Sequence, residues 1–181
     1  MNLLVKKVIL PLLSLRAKKY QKLLSEIQEL GIDIDDSKKT LNFFFEQTDV
    51  CVDSGILEQI DKDDFIEIYD KFRVQIFRTF NLYKYSTYSL DDLFTKRVDQ
   101  LYDRPEFYTK LILKSAEKIF SKKSNFLTQF CPEHEVHEKK EFGTSVTISY
   151  KFMAPVYDKE LKEIVGVIVC ERLRSSKTLS L

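Results

Sequence analysis

The sequence predicts an α+β domain in which N-terminal helices pack with a C-terminal antiparallel sheet. Three observations carry this. Helical spacing of apolar residues prevails up to Lys123, and period-two alternation replaces it afterwards. Gly and Pro number four each in 181 residues, too few for the many tight turns of an all-β chain. Hydrophobic residues make up 44% and aromatic residues 13%, which supplies a core and departs from the composition of a disordered chain.

Taking the elements in order, Leu12, Leu15, Tyr20, Leu23, Leu24, Ile27 and Leu30 follow helical spacing, and Gly31 supplies the C-cap. Asn2 to Leu15 is apolar but carries Lys6, Lys7 and Pro11. It is too short to span a bilayer, and Pro11 breaks the continuity that a membrane-surface helix needs. Gly31 to Lys39 is a polar break, and Phe43, Phe44 and Phe45 follow it in a row. Asp61 or Asp63 is expected to cap a helix with Phe65, Ile68, Tyr69, Phe72, Ile76 and Phe80 on one face. Ser89 with Asp92 reads as a capping box for a helix near Leu90–Tyr102, and Pro105 fits the first turn of another.

Beyond Lys123, Val146, Ile148, Tyr150 and Phe152 alternate with polar residues, as in a half-buried strand. Ile164 to Cys170 is a nearly continuous β-branched run, as in a central strand. Pro155 to Glu163 is expected to link the two, being too long for a tight hairpin turn. Phe126–Cys131 and Val136–Phe142 are additional strand candidates. The expected organisation is a helical extension over 1–60, an α+β domain over 61–175 and a tail over 176–181.

The C-terminal half resembles a PAS sensor domain. The residues carrying the resemblance are Pro155, Val156, Tyr157 and Asp158, then Ile164, Val165, Gly166, Val167 and Ile168. Tyr88, Ser89, Leu90, Asp91, Asp92 and Leu93 are similar to a helix of such domains, with Pro105 and Glu106 following at a fitting distance. A PAS domain needs two strands immediately before the Tyr88 segment, whereas Arg73 to Tyr85 continues a helical pattern. Either that segment is a strand pair or the arrangement of helices and sheet is a different one. The resemblance implies a sensor, with Val146, Ile148, Tyr150 and Phe152 on the sheet face that lines a ligand pocket.

The formal net charge is only +1 with 31% charged residues, which argues against a nucleic-acid binder. Charge is segregated: residues 1–30 are basic, Gly31 to Asp70 acidic, and Lys71 to Lys123 basic again. Cys51, Cys131 and Cys170 are widely spaced, so reduced thiols in a cytoplasmic protein are expected.

Cys131, His134 and His137 are the candidate metal ligands, but they match no defined zinc spacing, and on a strand the two histidines face opposite ways. Asp61, Asp63, Asp64 and Glu67 do not form a calcium loop, because the turn glycine is absent and Phe72 stands where the bidentate Glu belongs. No nucleophile elbow, phosphate loop or dinucleotide fingerprint occurs. The expectation is a non-catalytic sensory or regulatory domain that binds a small ligand or a protein partner, with homodimerisation open and its cofactor unspecified. The alternative is an adaptor docking through the helices Leu12–Leu30 and Phe65–Phe80.

Overall fold

The computed structural model describes residues 14–178 except 124, 129, 130 and 142. The Asn2–Leu15 membrane-surface question therefore lies almost wholly outside the described residues. Ser14 caps the first helix, α1 (Leu15–Glu29), by accepting from the Ala17 amide. Gly31, at φ 67°, closes it in the left-handed conformation that glycine adopts freely. Ala17, Tyr20, Leu23 and Ile27 form its buried stripe. Asp36 caps α2 (Ser37–Glu46), which starts inside the expected polar break and buries all three consecutive phenylalanines. A short strand β1 (Val50–Cys51) and the helix α3 (Ser54–Glu58) follow.

The helix expected over Phe65–Phe80 is a strand pair, β2 (Phe65–Asp70) and β3 (Gln75–Arg78). Asp70 makes the hairpin, its Oδ1 accepting from the amides of Phe72 and Val74 while Arg73 takes φ 67°. These are the two strands that the PAS resemblance requires before Tyr88. Three short helices follow: α4 (Phe80–Tyr83), α5 (Leu90–Thr95) and α6 (Val98–Leu101). The Ser89–Asp92 capping box is present, but the helix expected to reach Tyr102 is divided between α5 and α6. The strand β4 (Tyr102–Asp103) then leads through Pro105, the N-cap, into α7 (Glu106–Phe120).

The sheet is completed by β5 (Leu127–Thr128), β6 (His134–Glu138), β7 (Thr144–Asp158) and β8 (Ile164–Thr178). Its order is β3-β2-β8-β7-β6-β4, antiparallel at each pairing, with β1 and β5 also on β7. The expected Pro155–Glu163 link is shorter than predicted: β7 continues through Pro155, opposite Val167, as far as Asp158. Along its other edge Pro155 falls between the β5 pairing at Met153 and the β1 pairing at Tyr157. A proline with no amide to donate is tolerated at such a gap. The strand β8 runs to Thr178, into the stretch expected as a tail.

Both faces of the sheet are covered. On one face Ile66, Ile68, Phe152, Ala154, Ile168 and Cys170 meet α1, α2, α3 and α5. On the other, Tyr150, Met153, Val167 and Val169 meet α7 through Ile112, Ala116, Ile119 and Phe120. The strand β7 changes phase at a bulge. Tyr150 opposes Glu171 and Phe152 opposes Cys170, so Lys151 is left over and the alternation reverses there.

That bulge residue is anchored. Lys151 Nζ lies 2.8 Å from Asp64 Oδ2 and 2.9 Å from Asp61 Oδ2, and Arg172 reaches the same two carboxylates. Asp61 and Asp64 therefore act as ion-pair partners of the sheet, correcting the helix-capping role expected for this aspartate run.

Candidate functional site

Between the α7-facing side of the sheet and α7 lies a cavity of about 290 Å³. Its inner wall is apolar, built by Met153, Val167 and Val169 from the sheet and by Ile112, Ala116 and Phe120 from α7. The cavity also presents the ionisable groups Glu67, Tyr69, Tyr102, Arg104, Tyr150 and Glu171, and Asp70, Arg73, Asp99, Asp103, Glu106 and Lys139 line it as well. An apolar chamber with a few converging polar groups is the general form of a small-molecule site.

The strand register explains the ionisable groups of the sheet. Glu67 and Tyr69 alternate onto this face of β2, and Arg78 sits opposite Glu67 on β3. Glu67 is saturated: Tyr69 Oη donates to Oε2 at 2.8 Å, Gln75 Nε2 donates to Oε1 at 2.5 Å, and Arg78 Nη2 stands 3.7 Å away. Arg78, only 2% exposed, also donates Nη1 to Tyr102 Oη at 3.3 Å. Arg104, half-buried, donates Nη1 to Tyr150 Oη at 2.6 Å. Tyr150 in turn lies against the Glu171 carboxyl. Burial, and then the negative Glu67 nearby, raise the Glu171 pKa well above the usual carboxylate range. Arg104, Tyr150 and Arg78 oppose that rise without cancelling it.

The four residues expected to line a pocket are split. Tyr150 lines the large cavity, whereas Val146 and Ile148 line a small one of about 30 Å³ on the far side of the same charged cluster. Phe152 points to the opposite core, because the bulge at Lys151 reverses the alternation that placed it with the other three. The sequence reading missed Glu67, Tyr69, Arg104 and Glu171. The signal for Glu171 was a carboxylate directly after the β-branched run of a central strand, where a charge is costly.

The candidate metal ligands are also divided. His134 points inward, stacked on Tyr108 at 4.4 Å between ring centroids and on Tyr150 at 5.7 Å. Its Nδ1 is 2.8 Å from the Pro132 carbonyl, which assigns the proton to that nitrogen, and 3.7 Å from Cys131 Sγ. Burial lowers the His134 pKa and pushes the Cys131 thiol up to about 11, so both are neutral. His137 falls on the outer face of β6, beside Glu135. Among the described residues no group of three or more His, Cys, Asp or Glu side chains is placed to hold a metal ion. The stack instead fixes the ring of Tyr150, which carries the hydroxyl between Arg104 and Glu171.

No protein-family model matches the chain, and no curated protein matches it. Among solved structures it is similar to a PAS domain of a protein from Colwellia psychrerythraea, at 17% identity and a TM-score of 0.43. The match covers 61% of this chain and 85% of that one. The fold is α+β, with helices on both sides of an antiparallel sheet. Among the described residues no helix is long and apolar enough to cross a membrane.

Proposed function

We propose that this chain is a non-catalytic sensory or regulatory domain of the cytoplasm, and that it works by binding a small ligand between the sheet and α7. The carrying observation is the cavity itself, apolar along Met153, Val167, Ile112 and Ala116 and ionisable at Arg104 and Glu171. A partly open, apolar-walled cavity with a few converging polar groups is the form that small-molecule sites take, and a ligand filling it gains contact with that wall. The signal leaves through a protein partner that recognises the ligand-bound form.

The test is native mass spectrometry of the purified protein and of Ala116→Phe, which fills the chamber from α7. The expected result is a small-molecule adduct on the wild type, or stabilisation by members of a ligand library, absent in Ala116→Phe. The reading fails if the two proteins behave alike.

A further inference from the structure

Four carboxylates are buried among the described residues: Asp64, Glu67, Glu138 and Glu171. The protein saturates three of them. Asp64 receives Lys151 and Arg172, and Glu67 receives Tyr69, Gln75 and Arg78. Glu138 receives Ser86, the amide and hydroxyl of Thr87, and the amide of Thr144.

Glu171 is different. It is 4% exposed and lines the cavity, yet among the described residues no ammonium or guanidinium comes within 4.0 Å of its carboxyl. Arg104, on the same wall, has no carboxylate within that distance either, and uses one of its five N–H groups on Tyr150. A guanidinium and a buried carboxyl group thus face one chamber, and among the described residues neither has an oppositely charged side chain in contact. The Tyr150 hydroxyl touches both. Two hydrogen-bond lengths then separate the charged groups, about 5 to 6 Å.

We propose that the cavity takes a zwitterionic small molecule, an α-amino acid with an apolar side chain, its ammonium on Glu171 and its carboxylate on Arg104. The apolar side chain lies along Met153, Val167, Val169, Ile112 and Ala116. Charge balance selects this class. Glu67 and Arg78 already offset one another. A purely cationic ligand leaves Arg104 without a counter-charge, and a purely anionic one leaves the proton on Glu171, whereas an ammonium placed beside that carboxyl displaces the proton to solvent and takes its place. A zwitterion serves both and adds no net charge to a desolvated site, where an unmatched charge is costly. Size agrees: a cavity of ~150 Å³ holds benzene, and this one offers about 290 Å³. The proposal rests on the ligand-binding reading above.

The test titrates the wild-type protein with apolar L-amino acids from alanine to tryptophan. Each is paired with the amine lacking its carboxylate and the acid lacking its ammonium, and binding is followed by calorimetry and thermal shift. The expected result is that at least one amino acid binds about tenfold or more tightly than both partners. Glu171→Gln and Arg104→Gln should each remove that preference while circular dichroism shows them folded. Tighter binding of a single-charge or neutral analogue overturns the proposal but leaves the cavity reading standing. So does a zwitterion whose affinity ignores both substitutions, or binding of library compounds with none among the amino acids. If no compound of any class distinguishes wild type from Ala116→Phe, the cavity reading itself has failed.

Discussion

Gly166 on β8 passes so close to β2 that a β-carbon there would sit 2.7 Å from the Tyr69 carbonyl oxygen. The obstacle is backbone held in the sheet by the Tyr69–Val167 and Asp70–Gly166 pairing, so it cannot swing aside. Gly166→Ala should therefore destabilise by about 1–3 kcal/mol through overpacking. Urea unfolding measures this, and a midpoint equal to that of the wild type would show that β2 yields freely.

Glu138 bolts the segment before α5 to the start of β7. Ser86 Oγ and Thr87 Oγ1 each donate to it at 2.6 Å, and the amides of Thr87 and Thr144 donate at 2.8 and 2.9 Å. Burial alone would raise its pKa, but these donors outweigh burial and hold it below the ordinary 4.5. The folded protein thus favours the ionised form. Its contribution is complete above the unfolded-state value and is lost as pH falls through the lower, folded one. Glu138→Ala should cost about 1–3 kcal/mol near neutral pH, since it removes the charged acceptor that four part-buried hydrogen bonds share. Denaturation at a series of pH values should show the gap narrowing in acid.

Glu171 has the opposite sign. Its folded pKa is raised above 4.5 by burial and by Glu67, so the folded state holds the proton more tightly than the unfolded chain. The groups around it are Glu67 and Tyr69 from β2, Arg78 from β3, Tyr102 from β4, and Arg104 and Tyr150. Wild-type stability should fall as pH rises from the unfolded value towards the folded one. Glu171→Gln should flatten that fall and gain on the wild type at mildly alkaline pH. A parallel pair of stability curves would show that Glu171 is ionised throughout.

The three thiols should react in sequence. Burial pushes the Cys131 thiol up to about 11 and the Cys170 thiol well above the ordinary thiol range, whereas Cys51 is half-buried on β1. A thiol-specific dye near neutral pH should modify Cys51 first, with Cys131 and Cys170 following only on unfolding. Fast labelling of Cys131 in the native protein, read by peptide mapping, would contradict its placement.

Local signals were legible where a single residue type decides the geometry. The Ser89–Asp92 capping box, the Gly31 terminator and the Ile164–Cys170 strand follow directly from such residues. Phe65–Phe80 was misread because β2 is buried on both faces, with Phe65, Ile66, Glu67 and Ile68 inaccessible in succession. A strand covered on two sides shows no alternation, and its apolar residues then fit a helical wheel by coincidence. Phe72, counted on that wheel, lies 65% exposed in the hairpin turn. The candidate site was hidden for a related reason. Glu67, Arg104 and Glu171 come from three distant parts of the chain, and the register of β2 on β8 together with the turn between β4 and α7 brings them to one cavity.

The extra residue at Lys151 has a consequence for which insertions and deletions the chain can tolerate. Up to Tyr150 the even-numbered residues of β7 face the α7 core, and from Phe152 they face the α1–α2 core while Met153 faces α7, with one residue of phase change between them. Removing Lys151 would leave Tyr150 and Phe152 consecutive, opposite Glu171 and Cys170, so each keeps its layer and the ion pairs with Asp61 and Asp64 are what is lost. The loop at Lys159–Glu163 can change length without altering either core. Lys151 is thus the spare residue of β7, whereas a one-residue change elsewhere along the strand turns every side chain beyond it towards the other layer.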